Sequence, residues 1–184
     1  MKKKELLDFL NKSIEQFYKH DKYLIEDSHK VHEQAIAHRI AHYFENLAKK
    51  ENSSFYKEYH FDVEYNKNLE NSKEIFTKCH ECTKKCKCIK YSEQKESRPD
   101  FLVHKRGQND LNKFIVEFKT GSNNVDIEYD VYKLKYFTCQ LGEYRYDLGC
   151  FVYIKEREYE IRIFQKGKIK KNYKTLLENR NVVV

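Results

Sequence analysis

Apolar residues recur early in the chain at the three- and four-residue steps of a helix. Leu6, Leu7, Leu10, Ile14 and Phe17 predict an amphipathic helix over residues 3–19. A second helix is predicted in SHKVHEQAIAHRIAHYFENLAKK, residues 28–50. Ser28 is its expected cap, and Val31, Ala35, Ile36, Ile40, Tyr43, Phe44 and Leu47 form its apolar stripe. The period then changes to two. In FDVEYN (61–66), Phe61, Val63 and Tyr65 alternate with Asp62, Glu64 and Asn66, as in a half-buried strand. Residues 67–97 lack either period and read as a polar insertion. FLVH (101–104) and KFIVEFKT (113–120) return as strands, and the turn formers of RGQND between them predict a β-hairpin. Residues 126–140 predict a helix with Ile127, Val131, Leu134 and Phe137 on one side. LGCFVYIKE (148–156) and YEIRIFQ (159–165) predict two more strands, and a short helix is expected in the basic tail. The order is that of an α/β (α+β) chain with a mixed sheet, expected to form one domain over 1–184.

Against this pattern, IVEFKT (115–120) places Glu117 and Lys119 inside an apolar run. Alternate side chains of a strand share a face, so Ile115, Glu117 and Lys119 lie on one side and Phe114, Val116 and Phe118 on the other. Asp100, in RPDFLV (98–103), joins them in either of two registers. A turn centred on Gln108–Asn109 sets Asp100 across from Glu117, and one centred on Asn109–Asp110 sets it across from Lys119. Cross-strand Cβ atoms then lie about 4.5–5.5 Å apart. Pro99, the one proline of the chain, stiffens the backbone just before the acid. Two carboxylates and an ammonium so placed suit phosphodiester hydrolysis. The acids offer hard oxygen ligands to Mg²⁺ or Mn²⁺, and such an ion activates a water and offsets charge on the phosphate. Lys119 would orient or help deprotonate that water, or offset charge on the phosphate.

Pro99-Asp100, sixteen intervening residues and then Glu117-Phe118-Lys119 resemble the motif of the PD-(D/E)XK nuclease superfamily, whose fold is restriction-endonuclease-like. The element order from about 28 to 165 resembles that family's αβββαβ core. The wording of HKRG and FIVEFK is similar to that of small, stand-alone bacterial nuclease-like proteins. The resemblance implies Asp100 and Glu117 as metal ligands and Lys119 as the water-positioning group. It also implies an auxiliary acid on the first core helix, where Glu33 fits, three residues before Ile36 and seven before Ile40. Gln140 and Tyr144 have the four-residue spacing found in some branches, but Gly142 between them argues against one continuous helix, and the match reads as chance.

CHECTKKCKC supplies Cys79, Cys82, Cys86 and Cys88, with His80 nearby. Four thiolates within ten residues suit a structural tetrahedral Zn²⁺ in a reducing compartment. Cys139 and Cys150 sit in apolar contexts and read as core residues.

Composition narrows the partner. The chain is 40% hydrophobic and 35% charged, with a net charge of +7. Five lysines lie in KCHECTKKCKCIK (78–90) and five more in KGKIKKNYK (166–174). This balance suits a polyanionic partner, and together with the nuclease-like site it shifts the expectation to nucleic acid, DNA ahead of RNA. No apolar run approaches a membrane span, and acids and amides interrupt the N-terminus where a signal core would lie, so a cytoplasmic location without membrane contact is expected. A homodimer stays open. The expectation is therefore a Mg²⁺-dependent nuclease. The alternative is a non-catalytic nucleic-acid-binding module with a zinc knob on a nuclease-like core.

Overall fold

The computed structural model describes residues 1–26, 31–69, 71–75, 95–121 and 127–177. The elements run α1 (Lys3–His20), a 3₁₀ turn (Lys22–Ile25), α2 (Glu33–Glu51), α3 (Ser53–Glu58) and β1 (His60–Val63). Four two-residue strands follow, paired as two ladders: β2 (Lys67–Asn68) with β3 (Asn71–Ser72), and β4 (Glu74–Ile75) with β5 (Lys95–Glu96). Then come β6 (Phe101–His104), β7 (Phe114–Thr120), α4 (Ile127–Phe137), β8 (Leu148–Ile154), β9 (Glu158–Gln165) and β10 (Lys168–Leu176).

Six strands form one mixed sheet in the order β1-β6-β7-β8-β9-β10. β7 and β8 are parallel and every other neighbouring pair is antiparallel. The parallel pair needs a crossover, and α4 supplies it. α1 and α2 cover one face, where Leu10, Ile14, Phe17, Ile40 and Phe44 pack on Phe101, Val103, Phe114, Val116 and Phe118. α4 covers the other face, where Leu134 and Phe137 meet Leu102, Ile115, Phe151 and Phe164. Gly149 permits the close approach of that helix, because a Cβ there would lie 2.9 Å from Thr138 Cγ2.

The α+β class with a mixed sheet is thus present. Three expectations change. α2 begins at Glu33, after an extended His32 (φ −62°, ψ 141°), so Ser28 is not its cap. The strand at 61–66 stops at Val63, because Glu64 turns to φ 52°. The tail forms strand β10 in place of a helix, since Lys166 (φ 51°) and Gly167 (φ 70°) make a two-residue turn that folds it back on β9. The helix α3 was not expected; the Asn52 side chain starts it by accepting from the Phe55 N–H at 3.2 Å. The cysteine segment 79–88 lies outside the described residues. Among those described, no helix is long and apolar enough to cross a membrane.

Candidate active site

β6 and β7 pair Phe101 with Val116, Leu102 with Ile115 and Val103 with Phe114. Continued by one residue, this register sets Asp100 across from Glu117, the first of the two arrangements the hairpin allowed. The Asp100 Oδ2 atom accepts from the Phe118 N–H at 2.7 Å, which fixes the carboxylate at the strand end. Glu117 shares a face with Leu102 and Ile115 and points toward α4. Its side chain is 2% exposed.

α4 meets the acids with two charges of its own. Lys133 Nζ lies 2.7 Å from Glu117 Oε2 and 2.8 Å from Asp130 Oδ1. Lys119 Nζ lies 3.5 Å from Asp130 Oδ2 and 3.2 Å from Glu33 Oε2. Glu33, the first residue of α2, also accepts from the Thr120 N–H at 3.1 Å and from its hydroxyl at 3.4 Å. The first turn of a helix favours an acid, so the same residue serves α2 and the end of β7. The structure therefore links Glu33, Lys119 and Glu117 through Asp130 and Lys133, with Asp100 at the register position across from Glu117 and held by the Phe118 N–H.

Asp130 and Lys133 are missing from the sequence reading. Asp130, Lys133, Leu134 and Phe137 are all buried and stand three, four and seven residues apart, on one helix face. Two charges on an apolar stripe are the same signal that marked Glu117 and Lys119 on their strand. Gln140 lies beyond the end of α4, and the Tyr144 hydroxyl accepts from the Glu74 N–H at 2.9 Å and donates to its carbonyl at 3.0 Å, away from the acids. Their spacing has no common site. Cys150 is buried in the core, as its apolar context predicts, whereas Cys139 is only half-buried.

The electrostatics are those of an acid-rich pocket. Four carboxyl groups face two ammonium groups. Burial raises the Asp100 carboxyl to about 6, against the Phe118 N–H and Lys133, which pull it down. Burial pushes Glu117 well above the usual range, with Lys133 opposing and the neighbouring Asp100 adding to the shift. Burial disfavours the charge on Lys119 and Lys133, yet their acid partners outweigh it and hold both ammoniums above the ordinary lysine value. Among the described residues, Glu117 Oε1 is buried with no hydrogen-bond partner. A buried carboxylate oxygen in that position is costly unless a cation or donor meets it.

Two adjacent carboxylates and one unsatisfied oxygen suit a hard divalent cation. They do not make a closed cage: among the described residues, no three His, Cys, Asp or Glu side chains are grouped to hold a metal ion. Mg²⁺ commonly takes one or two carboxylates and keeps several waters, so the donor set fits it and Mn²⁺ better than an ion that needs a full protein shell. Comparison of the chain with protein-family models, with curated proteins and with solved structures finds no match, so the functional reading stands on this geometry.

Proposed function

We propose that this protein is a Mg²⁺- or Mn²⁺-dependent nuclease that hydrolyses phosphodiester bonds, with DNA preferred to RNA. The observation that carries the reading is the unpartnered Glu117 Oε1 beside Asp100. The element order α2, β1, β6, β7, α4, β8 supports a restriction-endonuclease-like αβββαβ core. Asp100 and Glu117 would hold the ion. When bound, it would lower the pKa of a water and offset charge on the phosphate. The chain's own groups prepare the site. The Phe118 N–H fixes Asp100, and Lys133 fixes Glu117 through Oε2. Lys119 orients the attacking water as a charged donor. Burial disfavours its charge, and Asp130 and Glu33 outweigh that cost and hold its ammonium above the ordinary lysine value. Glu33 supports Lys119.

A nucleic-acid partner is supported by β10, where Lys168, Lys170, Lys171 and Lys174 are exposed on the edge strand. Lysines so placed meet phosphates and release counterions. Cys79, Cys82, Cys86 and Cys88 remain a proposed structural zinc site on their spacing alone.

A second reading has its own support. Glu117 is almost fully shielded and both lysines of the cluster are already ion-paired. Such a network also suits a non-catalytic nucleic-acid-binding module. A cleavage assay on plasmid, single-stranded DNA and RNA with Mg²⁺, Mn²⁺ or no metal separates the two. Metal-dependent cleavage that Lys119→Ala abolishes while binding persists supports the nuclease. Binding with no cleavage under any divalent ion supports the module.

A further inference from the structure

The charged cluster is a chain of alternating sign. It runs Glu33, Lys119, Asp130, Lys133, Glu117, and so ties α2 to β7 through α4. The two lysines hold different places in it. Lys119 is clamped by acids from both helices, and neither of those acids is a proposed metal ligand. The ammonium that touches Glu117 belongs to Lys133, at 2.7 Å. Access does not separate them, because the Lys133 side chain is 11% exposed and that of Lys119 is 12%.

A structural explanation for Lys133 is incomplete. A buried ion pair adds to stability only when its remaining polar atoms are satisfied, and a well-packed apolar pair commonly does as well. Here Glu117 Oε1 has no partner among the described residues. Asp130 adds a second acid to Lys133, which fixes its ammonium in place beside Glu117. A cation held rigidly next to a carboxylate with an open oxygen is placed to act on charge that arrives at that oxygen's neighbourhood.

We propose that Lys133 is a second catalytic residue of this site: its ammonium offsets the negative charge that develops on the phosphate, while Lys119 orients the water. The assignment rests on the nuclease reading. Two lysines thereby divide two tasks, and Asp130, which binds both, is a positioning residue that sets their spacing.

The test uses the full chain and its Lys133→Met and Lys133→Arg variants. Mn²⁺ binding is followed by calorimetry, and single-stranded DNA binding in Ca²⁺ by fluorescence anisotropy across a salt series. Single-turnover cleavage in Mg²⁺ completes the set. Lys133→Met should slow cleavage by about 10²–10³-fold. It should lower the slope of log affinity against log salt by about 1, the signature of one lost phosphate contact. Lys133→Met should still take up Mn²⁺, because Asp100 and Glu117 remain, and Lys133→Arg should recover at least about tenfold of the rate, since the charge returns. Cleavage within threefold of wild type, an unchanged salt slope, or loss of Mn²⁺ binding would each overturn the proposal and leave the nuclease standing. Failure of the wild type itself to bind Mn²⁺ and to cleave would overturn the nuclease reading and this assignment together. If Lys133→Met does not fold, Lys133→Gln carries the test, because it removes the charge and keeps a polar side chain beside Glu117 and Asp130. The same slowing of cleavage and the same fall in salt slope are then expected, and unchanged values refute the role.

Discussion

Two buried acids sit on the same face of the sheet with opposite fates. Asp62 on β1 accepts from His104 Nε2 at 2.9 Å and binds Arg106 through both carboxylate oxygens. His104 and Arg106 overcome the cost of its burial and hold it well below the usual carboxylate range. Glu117 on β7 has one oxygen on Lys133 and one without a partner, and its carboxyl is pushed up. Both acids are buried, Glu117 (1% exposed) more deeply than Asp62 (8%). They differ most in how their oxygens are satisfied. A buried carboxylate whose oxygens are all matched contributes to the fold, whereas one left short carries a cost that a cation or a donor would relieve.

The contrast is most sharply broken by turning one acid of each site into its amide: Asp100, across from Glu117, and Asp62 on β1. Asp100→Asn should reduce metal-dependent cleavage by at least about 10²-fold. Its folded stability should hold or rise, because the amide still accepts from the Phe118 N–H and a crowded charge is gone. Asp62→Asn should do the reverse. It should destabilise by about 1.5–3 kcal/mol, the scale of a hydrogen bond to a charged group, and leave cleavage per folded molecule unchanged. Urea melts and initial cleavage rates check both. Equal destabilisation by the two variants would remove the distinction.

The pH dependence sharpens it further. The Asp100 value of about 6 lies above that of an unfolded aspartate, about 4. The folded chain therefore binds this proton more tightly. Its contribution to stability is present below about pH 4 and is lost as pH rises through about 6. A divalent ion favours the ionised form. Mg²⁺ at a hundred times its dissociation constant should then raise the Tm by on the order of 5–10 °C at pH 8, and the rise should fade as pH falls through about 6. Thermal melts with and without Mg²⁺ at each pH provide the check.

The smallest effect is expected far from both acids. Lys170→Gln with Lys171→Gln, on the exposed edge strand, should weaken nucleic-acid binding only a few-fold and lower its salt slope by about 1–2. Cleavage at saturating substrate should not change. An unaltered slope would remove β10 from the interface.

How far the site could be read from sequence follows from where its charges lie. Glu117 and Lys119 stand out because a strand alternates simply and a charge inside FIVEF breaks the pattern. The turn chemistry of RGQND leaves the register open; two of the registers bring Asp100 onto the face of Glu117, and the structure takes one of them. Asp130 and Lys133 did not stand out. On a helix, charges three residues apart resemble solvated surface unless each is tested against the buried stripe of Leu134 and Phe137. β10 was misread for a related reason. Its first five residues are all exposed, so burial gives them no alternation; alternation begins only at Tyr173 and Thr175, and the Lys166–Gly167 turn and the pairing with β9 make it a strand.

Calorimetric titration of Mn²⁺ at pH 8 into the wild type and into the Asp100→Asn/Glu117→Gln double variant tests the central claim most directly. One ion should bind the wild type and none should bind the double variant, with the fold of both intact by circular dichroism. A wild type that takes up no ion, or a double variant that binds as tightly as the wild type, would contradict the account.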